Sequence, residues 1–189
     1  EALNTDLGLR AFFGRGFVEV TGFHRDLDPA IVAIHDARGV GRYVNVAAVI
    51  RGVEARAQYD LLDAWTITAS GTLQDSENRS PDVADQNGKL LPGIYHQSAQ
   101  LKSTWRLRPF RLSLTANFDD ELYYDAANIL PADARTTLGA SLSWRHRWGD
   151  GDETRLDLEV RNATDELYQD FNRFPSTGRS YFANLQHNF

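Results

Sequence analysis

From residue 110 the even positions read Phe110, Leu112, Leu114, Ala116 and Phe118, while the odd ones read Arg111, Ser113, Thr115, Asn117 and Asp119. A period of two held this long specifies a strand with one apolar and one polar face. The same alternation recurs at Leu138, Ala140, Leu142 and Trp144, at Leu156, Leu158 and Val160, at Trp65, Ile67, Ala69 and Leu73, and at Val53, Ala55, Ala57 and Tyr59. Residues 95–107 and 7–13 follow it with more noise. Residues 17–25 are β by propensity, but neither face reads as apolar. With the run at 179–189, the pattern predicts an all-β chain of about nine strands in one domain. Helical periodicity is not convincing anywhere.

The longest apolar stretches, 30–34 and 46–50, are far below the roughly 20 residues that a membrane helix needs. A closed barrel remains as a way to cross a bilayer, since its strands need only alternate. The net charge of −6 argues against nucleic-acid binding, which needs a basic surface. The absence of cysteine removes disulfides and thiolate metal sites. Residue 1 is Glu and no basic segment leads into an apolar one, so a signal peptide is expected to be absent or already removed.

The connections separate the β architectures. Tight turns are expected at 14–16, 60–64, 108–109 and 149–152, and long loops at 27–43, 76–93, 125–134 and 163–178. Short turns at one end and long loops at the other are the habit of outer-membrane barrels. Tyr59, Trp65, Trp105, Phe110, Trp148 and Phe189 gather at the short-turn level, where amphipathic rings favour the headgroup layer. The spacing from Tyr95 to Trp105, or from Tyr181 to Phe189, spans roughly 20 to 25 Å on a tilted strand, the height of a lipid-facing band. A smaller outer-membrane barrel with binding or lipase-like activity and a soluble β-rich binding module share part of this pattern. Parity places the two chain ends at opposite ends of the sheet. Nine strands are therefore expected to be part of a larger barrel, because single-chain barrels are even-numbered.

The run Asn162, Ala163, Thr164, Asp165, Glu166, Leu167, Tyr168, then Pro175, Gly178, Arg179 and a final Phe189, resembles the C-terminal end of TonB-dependent outer-membrane receptors. Asp6 to Arg10, Asn45 with Gly52, Val53 and Glu54, and Leu91, Pro92 and His96 extend the resemblance over nearly the whole chain. It implies an antiparallel, up-and-down transmembrane β-barrel of 22 strands, of which this chain supplies the last nine, the plug domain and earlier strands being absent. It further implies energy-coupled uptake of a scarce ligand, a ferric siderophore or similar metal chelate, across the bacterial outer membrane. The partners implied are outer-membrane lipid, the extracellular small-molecule ligand, the TonB complex through the missing N-terminal part, and the barrel assembly machinery. The last strand, with Tyr181, Ala183, Leu185 and Phe189, is similar to the signal that machinery recognises. His187 stands where an apolar residue is more usual.

No catalytic set, cofactor site or metal-ligand spacing emerges. His96 and Ser98 share a strand face, but any i, i+2 pair does, and the resemblance already accounts for His96. In the loop at 82–88, a calcium-loop alignment puts Val83 and Ile94 where carboxylates are required. Residues 14–17 cannot cradle phosphate, because no helix follows. Ligand contacts, if made by this chain, are expected from Tyr123, Tyr124, Asp125, Asn128, Arg173 and Phe174 at the long-loop end.

Overall fold

The computed structural model describes residues 2–35, 41–80, 86–169 and 174–189. The strands are β1 (Ala2–Phe13), β2 (Gly16–His35), β3 (Gly41–Leu62), β4 (Trp65–Asn78), β5 (Gln97–Leu107), β6 (Phe110–Asp120), β7 (Arg135–Arg147), β8 (Glu153–Arg161) and β9 (Ser180–Asn188). They form a single sheet in sequence order, each antiparallel to its neighbours. The four tight turns stand where expected, and the last contains one 3-10 turn at Gly149–Gly151. All four lie at one end of the sheet.

The long loop expected over 27–43 is corrected. β2 continues to His35 and β3 begins at Gly41, and the two pair over most of that stretch. The register shifts between Leu27 and Ala30, at Asp28 and Pro29. A proline has no N–H for the ladder and is tolerated at such a bulge. The added residue reverses which side chains face which way, setting Ala30 opposite Val46 and Val32 opposite Val44. These residues pack with Ala48, Ile50, Leu91 and Ile94 into a small core at the long-loop end.

Register also settles residues 17–25. Val18 pairs with Ala57 and Ala11, and Val20 with Ala55 and Leu9, so these valines share the apolar face. Phe17, Glu19, Thr21 and Phe23 take the polar face. Phe23 lies opposite Gly52, where a Cβ would come within 2.7 Å of the Phe23 ring. Glycine at 52 therefore makes room for the aromatic ring.

The apolar face stays open from one edge strand to the other: Leu7, Leu9, Leu73, Leu101, Leu185 and Tyr181 are all more than half exposed. So continuous an exposed apolar surface requires lipid rather than water, which disfavours the soluble module. At its short-turn margin Phe13 stacks on Tyr59 with ring centroids 5.9 Å apart, and Trp65 on Trp105 at 5.8 Å. The polar residues that interrupt the alternation there serve the girdle. Ser103 accepts the Trp65 indole N–H at 2.8 Å. Thr154 accepts that of Trp148 at 2.8 Å and lies 2.8 Å from Nδ1 of His187. The His187 ring packs edge-on against Phe189 at 4.5 Å, so the unexpected histidine belongs to the same aromatic margin.

Candidate functional site

A depression of about 730 Å³ on the polar face reaches from Arg10 and Glu19 past Arg56, Ser70 and Asn117 to Arg135 and Tyr168, so that face is concave. Alternation puts all but Tyr168 there, because every second residue of each strand points inward. Their charges are partly paired: Arg10 with Glu19, and Arg135 with Asp119 at 2.9 Å. From the loop before β9, Tyr168 reaches the edge of this space.

The loop ahead of β5 is tied down by His96. Its Nδ1 lies 2.7 Å from the Glu121 carbonyl oxygen, which can only accept, so Nδ1 carries the proton. Nε2 then accepts from the Ser76 hydroxyl at 2.9 Å, and Ser76 Oγ accepts the Leu91 N–H at 3.0 Å. His96 and Ser76 are only 3% and 2% exposed. The pairing of His96 with Ser76 rather than Ser98 makes a buried latch.

Arg135 holds a second junction. Its guanidinium lies 4.7 Å from the Tyr95 ring centroid and 4.3 Å from that of Tyr168, joining the loops before β5 and β9 while it pairs with Asp119. Burial raises the Tyr95 phenol above its ordinary pKa against the lowering pull of Arg135, so the ring stays uncharged beneath the cation. Sequence reading put Asp119 on a polar strand face and Tyr95 at the margin of the lipid-facing band, and did not bring either to Arg135. The signal was the register, which sets Asp119 opposite Arg135.

The expected contact residues divide by role. Asp125 spends its carboxylate on the backbone N–H groups of Ala127, Ile129 and Leu130, the last at 2.7 Å. Asn128 both donates to the Leu90 carbonyl at 3.0 Å and accepts the Leu90 N–H at 2.7 Å. These two therefore shape and join loops. Tyr123 forms a bridge with Pro131, and the Tyr124 hydroxyl donates to the Gln169 carbonyl at 3.1 Å. Phe174 is 66% exposed. Arg173 lies outside the described residues, as do 82–85 of the rejected calcium loop.

The turn leading out of β8 is built by the residues of the C-terminal motif. Asn162 has φ +49° and closes the turn through both side-chain atoms, donating to the Glu166 carbonyl at 2.8 Å and accepting the Glu166 N–H at 2.9 Å. Asp165, at φ +58°, accepts the Arg179 N–H at 2.7 Å and so fixes the start of β9. Asn and Asp tolerate this left-handed backbone better than most residues. Tyr168 faces Arg135, and Phe189 closes the girdle.

A family model described as "TonB dependent receptor-like, beta-barrel" matches residues 1–163. The chain belongs to that family. Its strands are accordingly part of an outer-membrane β-barrel of a Gram-negative bacterium. A curated relative, the probable TonB-dependent siderophore receptor PiuA of Acinetobacter baumannii, is 29% identical over 140 residues, 67% of this chain and 18% of the relative. The crystal structure of BauA, the ferric preacinetobactin receptor of Acinetobacter baumannii, superposes with a TM-score of 0.81 at 18% identity, covering 100% of this chain and 29% of BauA. The ferric citrate transporter FecA, unliganded, gives 0.79 at 20% identity, covering 96% of this chain and 30% of FecA. The chain thus spans less than a third of the length of these proteins, and the structural likenesses speak for the fold.

Proposed function

We propose that these nine strands close a larger, 22-stranded barrel whose complete protein imports a ferric siderophore or similar metal chelate through the outer membrane. The observation that carries this reading is the match to a siderophore receptor over 140 residues, within a chain whose family is established. A concave polar face suits it, because a hydrated chelate needs a wet passage walled from lipid. Energy from the TonB complex would act through a part of the protein outside this chain, and the assembly machinery through β9 with Phe189. Tyr123, Tyr124, Phe174 and Arg173 are assigned to ligand contact, with Asp125 and Asn128 holding the loops that present them. The reading includes no enzymatic step, since the Ser76–His96 pair is buried.

The test is uptake of radiolabelled ferric siderophores by iron-starved cells with the full-length gene deleted or restored. Uptake of at least one chelate is expected to fall on deletion, return with the gene, and stop when TonB is removed or the proton-motive force is collapsed. Uptake that is indifferent to the gene for every chelate tried, or that persists without TonB, would contradict the reading.

A further inference from the structure

On the lipid-facing side of β6, β7 and β8 a groove of about 240 Å³ is lined by Phe110, Leu142, Trp144, Leu156 and Leu158. Register sets Phe110, Trp144 and Leu156 in one row across these strands, and the next row toward the short turns is His146, Thr154 and His187. His146 stacks on Trp144 and meets Trp148 edge-on, which closes one end of that row. An apolar groove thus runs into polar groups at the level of the aromatic girdle, where the headgroup layer begins.

The bonds within the polar row fix where its protons point. Thr154 Oγ1 accepts the Trp148 indole N–H at 2.8 Å, and among the described residues its own proton has one acceptor in reach, Nδ1 of His187 at 2.8 Å. A neutral imidazole that accepts at Nδ1 carries its proton on Nε2. That Nε2–H has no hydrogen-bond partner among the described residues, and His187 is exposed. A polar donor at the margin of lipid is costly without an acceptor, and a charged oxygen is the strongest acceptor available there. The lipid-facing side chains of β7, β8 and β9 include no carboxylate that would repel an anion, because Glu153, Asp157 and Glu159 alternate to the other face.

We propose that this site holds one glycerophospholipid of the surrounding bilayer, its phosphate accepting the His187 Nε2–H and one acyl chain lying in the groove beside Trp144 and Leu158. The two rows lie about 7 Å apart along the strands, so a single lipid molecule meets both. A lipid rather than a soluble anion is the occupant because donor and groove open on the same lipid-facing side. The inference rests on the barrel orientation and is independent of which ligand is imported.

The test is native mass spectrometry of the full-length protein, delipidated in detergent and titrated with palmitoyl-oleoyl-phosphatidylglycerol or with the matching diacylglycerol, which lacks the phosphate. Heat-dependent gel mobility confirms that each variant is folded. The unaltered protein is expected to retain one phosphatidylglycerol and to retain diacylglycerol about fivefold less. His187→Phe keeps an aromatic ring without the donor and should lower phospholipid retention about fivefold, to the level of diacylglycerol, while His187→Gln, whose amide still donates, should preserve most of it. Leu158→Trp fills the groove and should lower retention of both lipids. Equal retention of the two lipids by the unaltered protein, no retained lipid, retention unchanged by His187→Phe or by Leu158→Trp, or a loss in His187→Gln as large as in His187→Phe would each overturn the proposal.

Discussion

Asp165 accepts the backbone N–H of Arg179 through Oδ1, and a Cβ on the neighbouring Gly178 would overlap that same oxygen. The Asp and the Gly of the C-terminal motif are thus two halves of one contact. Their spacing in sequence is the length of the loop that returns the chain to β9.

Gly178→Ala must push the carboxylate off Arg179, and Asp165→Ala removes the acceptor outright. Each should cost about 0.5 to 1.5 kcal/mol of barrel stability, the net worth of one hydrogen bond. The double variant should cost little more than the worse single one, because both act on one bond. Denaturant titration of the full-length protein in detergent, followed by gel mobility, reads this. Fully additive losses would separate the two residues.

His96→Ala should strand the Ser76 hydroxyl proton in a buried site, costing about 1 to 3 kcal/mol. Ser98→Ala, at the position first paired with His96 by spacing, should change stability by less than about 0.5 kcal/mol. Thermal unfolding of the two variants compares them. Equal losses would remove the latch.

Arg135→Lys keeps the charge yet gives up the planar contact with Tyr95 and Tyr168. Amide exchange at 86–96 and 163–169 should quicken severalfold in Arg135→Lys and further in Arg135→Gln, with exchange at the short-turn end unchanged. Unaltered protection of both loops would show that the clamp does not hold them.

Much of this was legible because the period of two is intrinsic to a strand, so Phe110 to Asp119 could be assigned to faces without any knowledge of neighbours. The short turns and the aromatic level at Trp65 and Trp105 followed from local chemistry too. Where sequence reading failed, the deciding information was non-local. The bulge at Asp28 and Pro29 inverts the alternation, so 30–34 read as a loop although they continue β2. The face of Val18 and Val20 depended on Leu9 and Ala55 across the sheet. Arg135 was not brought to Tyr95 because two loops and one strand meet there. Asp125 and Asn128 were expected to contact ligand, and their backbone partners emerge only once the loop is closed.

The central claim is that a lipid face and a wet face alternate along these strands, including those where sequence alone could not tell which was which. The chain contributes no cysteine of its own, so a single introduced cysteine can carry a spin label in bilayers once every cysteine elsewhere in the full-length protein is replaced by serine. Labels at Val18, Val20, Leu112 and Leu114 are expected to relax strongly with oxygen dissolved in lipid, and those at Glu19, Thr21, Ser113 and Thr115 much less. The period should be two residues, in phase with the register on β2 and β6 alike. An inverted phase on β2, or oxygen accessibility without a period of two, would contradict the account.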